Sequence, residues 1–257
     1  LNQNFNHLKI HTQYSICEGA IKIDDLADFC KKKKIKSVGL CDSNNLCGAL
    51  EFAEKISKIG SQPIIGTQIN FSTHGFRGKI PLFATSKEGY KNLIKLSSKS
   101  YLEADEENET SCDINQLDNI NKDLIILSGN HFGLLGELFK YNKLKQIEKL
   151  CRILKKNFKD RFYFEIQRHK ENGEESYENY LIDLSVKLDI PLLATQEVYY
   201  LNKDLYEAHD ALICIGKKTF VENSERLKFS HHHYFKSGEE LKELFKDIPE
   251  ALENNYN

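Results

Sequence analysis

Several common features are missing from this sequence of 257 residues, and each absence narrows its class. No signal peptide opens it and no apolar run is long enough to cross a bilayer, so we expect no membrane association. Its seven cysteines are odd in number and form no CxxC pair, which argues against a disulfide framework and predicts a reducing, cytoplasmic compartment. Methionine is absent and the first residue is Leu1, so we interpret the sequence as an excised segment of a longer polypeptide.

Net charge and phosphate-binding loops are also lacking. The formal charge is −2, which argues against binding nucleic acid through bulk charge. Neither GxGxxG nor GxxxxGK[ST] follows any predicted strand. The basic run Lys31–Lys34, with Lys36, is interpreted as the exposed C-terminal end of a helix, and a nucleic-acid contact is the alternative. Five acids between Glu103 and Glu109 predict a solvated, mobile loop.

Apolar periodicity indicates strands alternating with helices of 10–15 residues. This order predicts a largely parallel sheet, either a barrel or an open doubly wound sheet, and we favour the barrel. Glycines between two of the strands suggest a hairpin with a turn at Gly75–Gly78. The clearest predicted strands are His7–Thr12, Ser37–Cys41, Pro63–Phe71, Ile80–Ala84, Leu124–Leu127, Phe162–Ile166 and Pro191–Ala194. Helices are predicted near Ile23–Lys34 and Asp204–Ile215, and Ser237 with Glu240 forms a capping-box pattern.

Polar side chains cluster at the C-terminal ends of these strands, which share one face in a barrel. They are His11, Asp42, Gln68, Asn130, Glu165, Gln167, His169, Glu197 and Tyr199. In the opening strand, alternation should place Leu8 and Ile10 on one face and Lys9 and His11 on the other. Histidine at both position 9 and position 11 would be a strong metal signal, but position 9 is lysine.

Ordered sequence blocks resemble one known family over nearly the whole chain. The blocks include His7–Thr12, Cys41–Phe52, Tyr163–His169, Glu207–Asp210 and Ile248–Ala251. They resemble the N-terminal PHP (polymerase and histidinol phosphatase) domain of bacterial DNA polymerase III alpha subunits. The resemblance implies a distorted seven-stranded (β/α) barrel, with about 1–215 as the barrel and about 216–257 as a C-terminal extension leading towards the polymerase core.

That resemblance also implies a metal cluster on the barrel rim, with histidine and carboxylate ligands that could activate water. The matching positions here are Lys9, His11, Asp42, Ser43, Gln68, Asn130, His169, Glu197 and Tyr199. Lys9, Ser43 and Tyr199 replace histidines, while Gln68 replaces a glutamate. An ammonium group has no lone pair and repels metal ions. We therefore predict a vestigial site with no catalytic residue.

The residual metal candidates are His11, Asp42, His169 and Glu197, and we expect at most one loosely bound divalent ion. We further predict that Lys9 substitutes for the metal by pairing with Asp42 or Glu197. His7 and His209 are interpreted as structural. The tract His231–His233 is typical of metal scavenging, but consecutive residues on an extended segment cannot all face one ion.

Two functions remain open. The first is a non-catalytic module of a DNA-directed DNA polymerase (nucleotidyltransferase), supporting the polymerase core of the same subunit and docking the proofreading exonuclease subunit, with DNA only as an auxiliary contact. The second is a metal-dependent phosphoesterase or 3′–5′ exonuclease acting at the barrel rim. Lys9, Ser43, Gln68 and Tyr199 favour the first.

Overall fold

The computed structural model describes residues 5–104 and 110–256. Most of the predicted acidic loop, residues 105–109, therefore lies outside the described residues. The strands of the described part are β1 (His7–Ile10), β2 (Ser37–Ser43), β3 (Gln62–Thr73), β4 (Phe76–Ala84), β5 (Cys112–Asp113), β6 (Leu124–Leu127), β7 (Phe162–Ile166), β8 (Leu192–Ala194) and β9 (Glu197–Val198). The α-helices are α1 (Ile23–Lys33), α2 (Ala49–Lys58), α3 (Lys87–Leu102), α4 (Leu134–Lys140), α5 (Leu144–Phe158), α6 (Glu174–Leu188), α7 (Tyr206–Gly216), α8 (Gly238–Leu244) and α9 (Pro249–Tyr256).

The strands form one curled, mostly parallel sheet in the order β8-β7-β6-β4-β3-β2-β1-β9, with β5 paired to β3. Only β4 runs against its neighbours. The two end strands of this path, β8 and β9, are separated in the chain by just Thr195 and Gln196. The sheet must therefore curl until its ends meet, as in a distorted (β/α) barrel and unlike an open sheet. Eight strands lie on this path, one more than the family resemblance implies.

The hairpin of β3 and β4 is confirmed, but its predicted turn at Gly75–Gly78 is wrong. The strands stay paired as far as Thr73 and Phe76, so the turn consists of His74 and Gly75 alone. Both turn residues have positive φ angles, 47° and 79°, as a tight two-residue turn requires. Backbone pairing therefore extends both strands beyond the apolar residues that predicted them.

Side chains on the two faces of the sheet enter different cores. The outer face packs against the helices, as in α1, where Ile23, Leu26 and Cys30 are buried at helical spacing. The inner face holds a small apolar cluster inside the barrel. Its fully buried members are Cys41, Phe83, Leu127 and Leu193. The rest of the interior is available to polar groups.

The lysine run and the C-terminal extension take up defined positions. Helix α1 ends at Lys33 and is capped by Lys34 in the left-handed conformation. Lys31–Lys33 form its last turn, where the helix dipole favours cations. The capping box of Ser237 and Glu240 begins α8, as predicted. In α9, the buried Asn255 donates to the carbonyl of Ala194 on β8 and exchanges hydrogen bonds with Asn6. The extension thus packs back onto the barrel.

None of the helices within residues 5–104 and 110–256 has the length and apolar character needed to cross a membrane.

Candidate functional site

The first strand departs from the predicted alternation. Leu8 packs against the small apolar cluster inside the barrel and Ile10 against the outer core, although both were predicted on one face. The pairing of β1 with β2 shifts register between His7 and Ile10, which turns Leu8 and Lys9 inward in succession. Gly39 on β2 allows this close approach, since a Cβ there would lie 2.4 Å from the carbonyl oxygen of Leu8. Lys9 and His11 still share one face, as the alternation predicts, since both contact Oε1 of Glu197.

Lys9 lies between two buried carboxylates. Its Nζ is 3.0 Å from Oε1 of Glu165 on β7 and 3.6 Å from Oε1 of Glu197 on β9. The side chains of Lys9 and Glu165 are 0% exposed, and that of Glu197 is 4% exposed. Burial by itself would lower the pKa of Lys9, but the carboxylates of Glu165 and Glu197 outweigh it and the pKa is raised. Lys9 is therefore a buried ammonium ion.

Glu197 is the hub of this cluster. His11 Nε2 lies 2.9 Å from its Oε1, Gln68 donates to the same oxygen, and Asn130 donates to Oε2 over 2.6 Å. Burial would raise the pKa of Glu197, but Lys9 and the hydrogen bond from His11 hold it well below its usual range. Both carboxylate oxygens already have partners, so Glu197 stays ionised and fully engaged.

Glu165 is fixed from the opposite side of the cluster. Gln167 donates to its Oε1 over 2.7 Å, and the hydroxyl of Thr195 donates to the same atom. Thr195 lies in the joint between β8 and β9, so this contact ties that joint to β7. We name Lys9, His11, Gln68, Asn130, Glu165, Gln167, Thr195 and Glu197 the inner cluster.

Asp42 lies apart from Lys9, so the predicted alternative pairing of these two residues is wrong. Its carboxylate accepts from the backbone N–H and hydroxyl of Thr12, at 2.7 and 2.8 Å, and from the hydroxyl of Ser15 at 2.7 Å. Burial raises the pKa of Asp42 even though these donors oppose the shift. Asp42 thus orders the loop that follows β1.

Ser43 belongs to a second group of polar side chains nearer the solvent. Lys79 Nζ lies 2.8 Å from Oε2 of Glu18 and donates to the hydroxyl of Ser43 over 2.9 Å. Ser43 in turn donates to Glu18. The side chains of Lys79 and Glu18 are 27% and 35% exposed. We name the ion pair of Glu18 and Lys79, together with the hydroxyl of Ser43, the outer pair.

Aromatic and imidazole rings stack over the inner cluster. Tyr199 stacks on His11 at 4.6 Å between ring centroids and on His209 at 5.3 Å. His169 stacks on His233 at 4.0 Å, and its Nε2 accepts the backbone N–H of Glu197 over 3.3 Å. Burial, and next the nearby His233, lower the pKa of His169 well below its ordinary value. Burial therefore favours the neutral ring of His169.

The remaining histidines that the sequence singled out lie outside the inner cluster. In the tract His231–His233, only His233 is buried, and its Nε2 lies 3.1 Å from Oε1 of Glu171. His7 bonds the carbonyl of Lys236 and packs against the tilted ring of Phe235, outside the barrel. The structural roles predicted for His7 and His209 agree with these contacts, since His209 bonds the carbonyl of Glu18.

The profile of the family described as "PHP domain" matches residues 7–169. This chain belongs to the PHP domain family. DNA polymerase III subunit alpha of Caulobacter vibrioides is 36% identical over 262 residues, which cover 98% of this chain and 23% of that relative. The same subunit of Borreliella burgdorferi is 35% identical over 262 residues, covering 97% of this chain and 23% of its own length.

This PHP domain therefore spans less than a quarter of the curated relatives it matches. Among solved structures, a two-domain protein of Bacteroides vulgatus containing a predicted PHP-like metal-dependent phosphoesterase matches with a TM-score of 0.48 and 12% identity. That match covers 98% of this chain and 63% of the other. A putative metal-dependent phosphoesterase of Bifidobacterium adolescentis matches with a TM-score of 0.45 and 10% identity, over 75% and 86% of the two chains.

The donor set of the rim does not fit a metal cluster. The ammonium of Lys9 lies between Glu165 and Glu197, so these two carboxylates already have a cation as partner. Gln68 and Asn130 present amide N–H groups to Glu197, so they donate where metal ligands must accept. Within the described ranges, no three His, Cys, Asp or Glu side chains are grouped so as to hold a metal ion.

Sequence reasoning placed Glu165 at a strand end but did not select it as a site residue. Period-two alternation along β7 already puts Tyr163 and Glu165 on one face, opposite the outer-core residues Phe162 and Phe164. The inward-facing position of Glu165 could therefore have been predicted from the sequence. Thr195 carried no comparable signal, because its role depends on the joint between β8 and β9.

Proposed function

We propose that this PHP domain is a metal-degenerate, non-catalytic structural module of a DNA polymerase III alpha subunit, with the ammonium of Lys9 in place of the family's metal cluster. One observation carries the proposal: Lys9, 0% exposed, forms ion pairs with Glu165 at 3.0 Å and Glu197 at 3.6 Å. Identity of 35–36% to alpha subunits supports the assignment to that protein.

The chemistry of an ammonium group explains why this rim would not catalyse hydrolysis. A catalytic metal offers an open coordination position that polarises a phosphoryl oxygen or lowers the pKa of bound water. An ammonium ion has three N–H donors and no such position. It can, however, neutralise the buried carboxylates of Glu165 and Glu197, which would otherwise be costly to keep inside the barrel. On this proposal the rim contributes to folding and no longer catalyses hydrolysis.

Metal content and hydrolysis test this proposal directly. The purified chain is incubated with Mn²⁺ or Zn²⁺, dialysed, and analysed for metal and for hydrolysis of a generic phosphodiester. A variant with His231→Ala and His232→Ala removes adventitious binding by the histidine tract. We expect far less than one metal ion per chain in this variant, and no turnover.

Stoichiometric metal together with turnover that His11→Ala and Asp42→Ala abolish would overturn the proposal. It would favour the metal-dependent phosphoesterase or 3′–5′ exonuclease instead.

As part of such a subunit, the domain would be cytoplasmic, pack against the polymerase core of the same polypeptide, and dock the proofreading exonuclease subunit. The support is its similarity to alpha subunits of which it covers 23%. Co-purification of this chain with the cognate exonuclease subunit is the expected result. Failure to co-purify, with the chain folded by circular dichroism, would remove the docking role and leave the metal assignment unaffected.

A further inference from the structure

A large groove lies on a part of the surface to which none of the inner-cluster residues contributes. Its volume is about 1390 Å³, above the range of roughly 300–1,000 Å³ typical of small-molecule sites. The end of α1, the segment after β9, and helices α8 and α9 form its walls. Six lysines line it: Lys33, Lys34, Lys36, Lys203, Lys242 and Lys246. The basic run singled out in the sequence thus joins lysines from distant elements.

The groove has an excess of positive charge although the whole chain carries −2. Three glutamates, Glu239, Glu240 and Glu253, oppose the six lysines. Glu240 is already engaged, because it accepts from Ser237 at the start of α8 and lies 3.2 Å from Lys203. Within the described residues, Lys33, Lys34 and Lys242 form no ion pair with a carboxylate. Their charges are therefore available to an anionic ligand.

Aromatic rings line the same groove as these cations. Phe5, Tyr234 and Phe235 are buried there, whereas Phe29 is half-buried and Tyr256 is exposed. The Nζ of Lys33 lies 5.9 Å from the ring of Phe29, and that of Lys203 lies 4.8 Å from the ring of Tyr234. Tyr256 is 52% exposed and offers a ring face to solvent. Phosphates pair with lysines and bases stack on aromatic rings in grooves that bind single strands.

We propose that this groove binds single-stranded nucleic acid. The composition favours it over a protein partner, because the centres of protein–protein interfaces are depleted in lysine and enriched in arginine. The groove contains six lysines and no arginine. The mixture of cations and rings also favours a single strand over a duplex, whose bases are not free to stack on side chains. This inference goes beyond the proposed function and does not depend on the metal site.

Salt-dependent binding of a fluorescein-labelled oligothymidylate, about 20 nucleotides long so that it can span the groove, tests this proposal. Fluorescence anisotropy gives its affinity for the purified chain between about 50 and about 200 mM NaCl. The variant Lys33→Gln/Lys242→Gln should flatten the slope of log K against log salt by about 1.4, since each lost phosphate contact in a single strand contributes about 0.7. The matched control Lys145→Gln/Lys156→Gln, on exposed positions of α5, should keep the slope.

The aromatic contribution is tested separately with Tyr256→Ala. We expect affinity to fall at least about fivefold with an unchanged salt slope, because stacking carries no phosphate charge. Absence of oligothymidylate binding, or equal slopes in the groove and control variants, would overturn the proposal. It would also be overturned if labelled polyglutamate bound in a Lys33- and Lys242-dependent way while the oligonucleotide did not, since the groove would then recognise an acidic polypeptide.

Discussion

The inner cluster and the outer pair use the same chemical groups in opposite environments. In the inner cluster, Lys9 meets Glu165 with no exposed surface on either side chain. In the outer pair, Lys79 meets Glu18 at a shorter distance, 2.8 Å, but about a quarter to a third of each side chain is exposed. Distance alone would rank the outer pair as the stronger interaction.

Burial reverses that ranking, because water determines the cost of leaving a charge unpaired. A charge at the outer pair regains hydration when its partner is removed, so exposed pairs of this kind contribute little to the free energy of unfolding. A carboxylate in the inner cluster cannot be rehydrated, so removing its cation leaves an uncompensated buried charge. Lys9 therefore matters for what its absence would expose, more than for the strength of the attraction.

The largest expected effect is the contrast between Lys9→Met and Lys79→Met. We expect Lys9→Met to lower the free energy of unfolding by about 3–5 kcal/mol, and Lys79→Met to lower it by at most about 1 kcal/mol. Urea denaturation followed by circular dichroism measures both. Similar losses for the two variants would remove the distinction drawn from burial.

A second set of variants separates charge from packing at Lys9. Adding Glu165→Gln to Lys9→Met removes one of the two uncompensated carboxylates, so we expect part of the lost stability to return in the double variant. If the double variant is less stable than Lys9→Met, packing of the lysine stem, and not its charge, is what the barrel requires.

His209 gives an effect of intermediate size, because it lies between the two regions. It stacks on Tyr199 and bonds the carbonyl of Glu18. Burial lowers the pKa of His209 to about 4, from an ordinary 6.5. The folded state thus holds the ring neutral, so its contribution is fully present above pH 6.5 and is lost as the pH falls towards 4.

We therefore expect stability to fall with decreasing pH across this window, and His209→Gln to make the fall shallower by up to about 1.4 kcal/mol per pH unit, the value for one proton. Denaturation series at several pH values measure the slope. An unchanged slope in His209→Gln would show that other groups take up the proton.

The smallest expected effect is the salt response of the outer pair. A double-mutant cycle with Glu18→Gln and Lys79→Met should give a coupling energy of about 0.2–1 kcal/mol. At about 1 M NaCl, where the Debye length is about 3 Å, this coupling should shrink markedly. A Lys9–Glu165 cycle should keep its coupling at the same salt, because solvent ions do not reach that pair. Equal salt sensitivity in both cycles would contradict the burial argument.

Local pattern predicted the strands and the rim, because period-two and helical spacing are properties of short segments. It could not predict the register shift in β1, which depends on the close approach of Leu8 to Gly39 thirty-one positions later. The inward turn of two successive residues follows from that contact and not from the local sequence.

The choice of partner for Lys9 was likewise beyond the sequence. Glu197 lies beside it because β1 pairs with β9 in a register that aligns the two residues. Asp42 is equally close to a strand end, but the unpaired N–H and hydroxyl of Thr12 take up its carboxylate. The order of strands in the sheet and the competition among hydrogen-bond donors decide such pairings. Neither can be predicted from the spacing of residues in the sequence.

The ammonium group of Lys9 is covalently part of the chain, which distinguishes it from a bound metal ion. A bound ion must be acquired from its surroundings, can be exchanged for another, and can be withdrawn by a chelator. The ammonium of Lys9 is made with the chain on the ribosome, at a ratio of one to one, and cannot dissociate. The counter-charge for Glu165 and Glu197 is therefore independent of the cell's supply of zinc, iron or manganese.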